Sequence, residues 1–221
     1  MPLSDTDWTD GARDPRAFLQ GWAATVADAL NGQLAADGRF VAEVECHTRE
    51  AAGAVAPPGA HPAGAPTHTA PARFTDRFGV NVVDTDGARA VAAVVLFATP
   101  DNKSDSDAAL AFAVRAAGFM SAGIGVVVVD ALPGPPSWAT HLHSLTGVYP
   151  IARRPRGGEA PVLVVHPAVT DGAGQFAVWH HGVVKGFPLP TVSVPVRGGP
   201  HPKLDLEATY LDACQRGRTA E

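Results

Sequence analysis

Glu43 and Glu45 stand two residues apart in the stretch FVAEVECHT. Alternate side chains of an extended chain share a face, so this pair could hold a divalent cation or serve as acid and base. The same alternation places Phe40, Ala42, Val44 and Cys46 on the opposite face. That is the pattern of an edge strand with one wetted side, and it is the reading we prefer. The nine histidines are the other potential ligands. His61 and His68 fall in a proline-rich segment that would not hold them in place. His141 and His143 diverge on an expected helix, and the adjacent His180 and His181 face opposite sides of an expected strand. A metal site needs about three convergent ligands, so no cofactor is expected from the histidines.

The element that organises the rest is AVAAVVLFATPDNK, residues 90 to 103, an apolar strand that ends in a turn of Thr99, Pro100, Asp101, Asn102 and Lys103. SDSDAALAFAVRAAGFMSAG follows as a helix and IGVVVVDAL as a second buried strand. The order implies a parallel pair joined by its crossover helix. Ser104 with Asp107 forms a capping-box pattern, and Asp105 lies in the electropositive first turn. The expected packing face carries Leu110, Val114 and Ala117 with Ala113, Ala116 and Met120, and Gly123 suits a left-handed helix end.

Upstream, Asp14 and Pro15 start a helix whose apolar face runs through Phe18, Trp22, Val26 and Leu30. FGVNVVDT is a strand ending at Asp84, and a tight turn at Asp86 and Gly87 makes a hairpin over 78 to 98. Downstream, PGPP breaks the chain and Ser137 is placed to cap a helix with Trp138, Leu142 and Leu145. PVLVVHP, FAVWHHGV and TVSVPV extend the sheet with antiparallel strands. Asp205 opens a last helix in which Leu206, Tyr210 and Cys214 share a stripe. Residues 51 to 72 hold prolines and small side chains with no large apolar anchor, the composition of a mobile loop.

The 221 residues suit a single domain over 1 to 221. A net charge of −5, with three lysines against fourteen arginines, provides no broad cationic surface, which disfavours nucleic acid as a partner. No charged-then-apolar leader opens the chain and no apolar run is long enough to span a bilayer. A cytoplasmic protein with Cys46 and Cys214 reduced, and without a membrane association, is expected.

TPDNK after an apolar strand, a helix and then GIGVVVVDAL resembles a bacterial family known only as Domain of Unknown Function 4058. GFPLPTVSVPVRGG followed by LDLEATYLDAC is similar to that family's ending, and the aromatic-rich helix before ALNGQL fits its opening. The resemblance covers most of the chain apart from the proline-rich loop. It implies an α/β (α+β, mixed-sheet) fold with a core like the PD-(D/E)XK restriction endonucleases: helix, three antiparallel strands, helix, strand. To this the chain would add a C-terminal β extension and a terminal helix. Segments at 14 to 36, 40 to 48, 78 to 85, 89 to 98, 104 to 122 and 124 to 131 follow that order.

Such nucleases place an acid at the end of the second strand and an acid and a lysine two apart on the third. The carboxylates bind magnesium and the lysine steadies the phosphate or the attacking water. In the family's pattern a glutamate stands four residues before the proline of the turn, and here that position is Leu96. The resemblance therefore implies a nuclease-like domain that has lost metal catalysis and acts as a binding or interaction module, through a protein partner or by self-association. The alternative is a magnesium-dependent phosphodiesterase with relocated carboxylates. Its candidate catalytic groups are Asp84, Asp101 and Lys103, and its candidate metal ligands are Asp84, Asp86, Asp101, Glu43 and Glu45.

Overall fold

The computed structural model describes residues 14–48, 75–86, 88–132, 134–148, 159–170, 173–184 and 186–219. The proline-rich segment expected to be a loop, and Gly87 of the expected tight turn, lie outside them. The chain begins with helix α1 (Pro15–Leu34) and three strands, β1 (Phe40–His47), β2 (Arg77–Asp84) and β3 (Val91–Phe97). A single 3-10 turn (Asp101–Lys103) leads into α2 (Ser106–Ser121), β4 (Gly125–Val129) and α3 (Ser137–Thr146). The remainder is β5 (Glu159–Thr170), β6 (Ala173–Val184), β7 (Thr191–Ser193), β8 (Lys203–Asp205) and α4 (Leu206–Thr219).

Six strands form one mixed sheet in the order β1-β2-β3-β4-β5-β6. Only β3 and β4 are parallel, with Ala93 opposite Gly125 and Phe97 opposite Val129, and α2 is their crossover. The other neighbours run antiparallel. This is the α+β mixed sheet with a β extension and terminal helix that the sequence implies. TVSVPV is the exception to the expected extension. Its first three residues pair with β8 in a separate two-stranded sheet, because the Gly-Pro-rich turn after Val196 folds the chain back on itself.

Both faces of the sheet are covered, and alternation along the central strands feeds two cores. Ala93, Val95, Phe97, Val127 and Val129 pack with α1, α4 and the β7–β8 segment. Val94, Leu96, Ala98, Val126 and Val128 pack with α2 and α3. On the first face Trp22 lies against Phe97 and Tyr210, with ring centroids 4.9 and 5.4 Å apart. Its indole N–H donates to Thr209 Oγ1 at 3.0 Å, so burial of the ring leaves no unmade hydrogen bond. Thr25 Oγ1 donates to the Thr209 carbonyl at 2.9 Å and ties α1 to α4 a second time.

Asp14 caps α1 by accepting from the Arg16 N–H at 2.9 Å, and Gly123 takes φ +72° after α2, both as expected. Three local expectations need correction. Asp105, not Ser104, caps α2, accepting from the Ala108 N–H at 2.8 Å, while the Ser104 hydroxyl turns back to the Asp101 carbonyl at 2.9 Å. Pro136 occupies the cap position of α3, with no side-chain cap bond, so Ser137 does not serve there. The packing face of α2 is Ala109, Phe112, Ala113, Ala116 and Met120, whereas Leu110 and Val114 are exposed. Small alanines let this helix approach the sheet closely, which turns the bulkier pair outward.

Candidate functional site

The polar groups nearest the carboxyl ends of the parallel strands come from four segments. β3 delivers the turn Thr99 to Lys103, β4 ends at Asp130, α1 contributes Arg16, and Asp76 precedes β2. Asp76 belongs here because an antiparallel neighbour starts where β3 ends, with Phe78 opposite Phe97.

The turn is held by Asn102. Its side-chain oxygen accepts from the Thr99 N–H at 3.0 Å, its own N–H donates to Thr99 Oγ1 at 3.1 Å, and its amide donates to the Asp76 carbonyl at 3.3 Å. This is the local bonding expected of an Asn in a Pro-Asp-Asn turn. The consequence is a fixed direction for Lys103.

Lys103 reaches inward across the strand ends. Its Nζ donates to Asp130 Oδ1 and to the Leu132 carbonyl, each at 2.7 Å. The second carboxylate oxygen, Asp130 Oδ2, accepts from the Trp138 indole N–H at 2.8 Å. The side chains of Lys103 and Asp130 are only 3% and 1% exposed, which makes this a buried ion pair with its hydrogen-bonding capacity largely engaged. Burial pushes the Asp130 carboxyl above the usual range, with Lys103 and the Trp138 N–H opposing the shift.

Beside it lies a second, more open pair. Arg16 Nε meets Asp76 Oδ2 at 2.6 Å and Arg16 Nη2 meets Asp101 Oδ2 at 3.5 Å. Asp76 is buried, while Asp101 and Arg16 are each about a third exposed. The guanidinium thus bridges two carboxylates from different segments, the position a cation would take between them.

Asp101 and Lys103 therefore share a neighbourhood but not a task, since one turns to Arg16 and the other to Asp130. Asp84 does not join them. Its backbone N–H bonds the Ala90 carbonyl at the opposite end of β3, and six residue steps separate Val91 from Phe97, roughly 20 Å along a strand. There Arg39 grips Asp84 with contacts of 3.0 and 2.6 Å, and Asp86 lies 3.7 Å from Arg39. Glu43 pairs with Arg89 and Glu45 with Arg115 of α2, so the two glutamates serve as ion-pair partners of separate arginines. β1 is an edge strand wetted at Glu43 but not at Glu45, whose side chain is 14% exposed against Arg115, and Val44 is exposed where the alternation pointed it inward. Leu96 is fully buried in the α2–α3 core and Ala98 beside it is also buried.

Sequence reasoning missed Arg16 and Asp76, placed Trp138 only on a helix and held Asp130 only within the run IGVVVVDAL. The available signal for Asp130 was an acid directly after an apolar run in the strand parallel to the one that ends in the turn. Arg16 and Asp76 carried no such signal, because their partners are brought to them by antiparallel pairing and helix docking. Among the described residues no group of three or more His, Cys, Asp or Glu side chains is arranged to hold a metal ion. No described helix is long and apolar enough to cross a membrane. No family model, curated protein or solved structure matches the chain.

Proposed function

We propose that this chain is a nuclease-like domain that has exchanged metal-assisted hydrolysis for binding, and that it works as an interaction module. One observation carries the reading. Lys103, the only lysine near the turn among the described residues and the group that would steady a phosphate, spends its charge on Asp130 and the Leu132 carbonyl inside the protein. Releasing it for a phosphate would strand the buried Asp130 carboxylate, a cost of several kcal/mol. Leu96 at the expected acid position and Arg16 between Asp76 and Asp101 point the same way.

The surface suited to a protein partner or a second copy is β6. It is a twelve-residue strand at the edge of the sheet, and Phe176, Trp179 and Val184 on it are exposed. A long edge with exposed apolar side chains is a template for strand addition.

The test compares the wild type, Asp101→Asn and Lys103→Ala on single- and double-stranded DNA with magnesium or manganese, alongside melting temperature with and without the metal. We expect the same background cleavage from all three and no metal-dependent rise in melting temperature. Metal-dependent cleavage by the wild type that Asp101→Asn removes without loss of folding would overturn the proposal in favour of a phosphodiesterase centred on Asp76 and Asp101.

A further inference from the structure

Histidines that look unrelated in the sequence meet far from the Lys103–Asp130 pair. The inner face of the β5–β6 hairpin presents Val164 and His166 from β5 and Trp179 and His181 from β6, since alternate residues share a face and Val164 lies opposite Trp179. The β7–β8 segment crosses this face. Between them is a cavity of about 280 Å³, lined also by Thr191, Ser193, His201 and Lys203. His166 and His201 contact edge to face, with ring centroids 4.9 Å apart. His181 shares this lining with both. Its companions are 15 residues back on the neighbouring strand and 20 onward, beyond β7.

The cavity is placed by close backbone packing. Pro195, at its floor, sits directly on Gly125 at the start of β4, where any side-chain carbon on Gly125 would fall 1.9 Å from the Pro195 carbonyl oxygen. This is the amino end of β4, whereas Asp130 is at its carboxyl end. The two regions are therefore separate, at opposite ends of β4.

We infer that this cavity is a binding site for a small aromatic anion, one ring bearing a carboxylate or a phosphate. Among the described residues the lining supplies Lys203 and three imidazoles and no acidic side chain. The nearest acid in the sequence, Asp205, accepts from the Ala208 N–H as the cap of α4. Lys203 and the imidazole donors fit an anionic head group. The indole of Trp179, half exposed at the cavity, provides a flat apolar wall for a ring. The volume lies just below that of most ligand pockets, generally about 300 Å³ upward, and matches a one-ring occupant. The imidazoles do not make this a metal site, since the described residues place no three such ligands within coordinating reach of one point. Burial and the neighbouring His201 hold His166 below the ordinary histidine range, so Lys203 is the cation of the lining and His166 serves as a neutral hydrogen-bonding ring.

The experiment is a titration of the full chain with benzoate and with phenyl phosphate, followed by histidine ring and indole NMR shifts near pH 6. Benzyl alcohol, cyclohexanecarboxylate and inorganic phosphate serve as comparators. We expect saturable shifts of His181, His201 and Trp179 with at least one aryl anion, and whichever anion binds tighter identifies the head group. Benzyl alcohol and inorganic phosphate should bind at least about tenfold more weakly. His201→Gln and Lys203→Met should each raise Kd about fivefold or more, and Trp179→Leu should abolish the preference for benzoate over cyclohexanecarboxylate. Their unchanged melting temperatures check the fold. No saturable shift with either aryl anion at millimolar concentration would overturn the site, as would equal binding of benzyl alcohol or wild-type affinity in both charge variants.

Discussion

Two ion-paired regions mark opposite ends of β3, and they use the same kinds of side chain to different effect. At the carboxyl end Lys103 and Asp130 are almost wholly out of water and held by Trp138 and Leu132. At the amino end Arg39, Asp84 and Asp86 are partly or largely open to solvent. Desolvation makes the first pair costly to break from one side, while water and salt screen the second. An acid or a base in a motif thus says little until its burial is known. Asp84 and Asp130 both end a strand, yet only Asp130 is committed to the core.

That contrast can be broken by mutation. Lys103→Met leaves Asp130 buried without its cation and is expected to cost about 3–5 kcal/mol in chemical denaturation. Adding Asp130→Leu to it should recover a substantial part of the loss, because the double variant buries no unpaired charge. A single variant as stable as the wild type would mean that the pair is solvated in practice. Trp138→Phe removes the indole donor together with some packing volume at a fully buried site and should cost about 1–3 kcal/mol. Asp101→Asn weakens a half-open contact with Arg16, for which at most about 1 kcal/mol is expected.

The smallest effect belongs to Arg39→Ala, which should lower the melting temperature only slightly at neutral pH, where the contribution of the pair is complete. Its signature is pH dependence. The Arg39 hydrogen bonds, helped by the Asp86 N–H, hold the Asp84 carboxyl below the usual range. Between that lowered value and the unfolded value of about 3.9 the folded chain binds fewer protons than the unfolded one, so stability rises with pH across this window. The contribution is complete above the unfolded value and is lost as pH falls through the folded one. Melting curves of the wild type and Arg39→Ala should therefore converge in acid. Curves that stay parallel would show that Arg39 does not set the Asp84 carboxyl.

Much of the architecture could be read from the chain because its signals are local. Asp14 and Pro15 before a four-residue apolar spacing mark α1, and the short turn around Asp86 makes the β2–β3 hairpin. The apolar runs on either side of α2 require a crossover, and a crossover gives parallel strands. The candidate site was less legible. Asp84 was placed with Asp101 because both follow strands, but antiparallel strands end at opposite edges of a sheet. The acid that meets the turn is Asp76, at the start of β2 rather than its end. Likewise His181 gained His166 and His201 as neighbours only through the cross-strand register and the fold-back of β7 and β8.

By itself the sequence determined the helices, most of the strands and the inward sides of α1 and α4, since periodicity and caps act over a few residues. It also determined the turn that fixes Lys103, through Thr99 and Asn102. Tertiary structure alone decided where that lysine's charge goes, which carboxylates share Arg16 and which histidines line one cavity. Those pairings join residues tens of positions apart, and their chemistry depends on exclusion of water, which only the packed sheet and its covering helices provide.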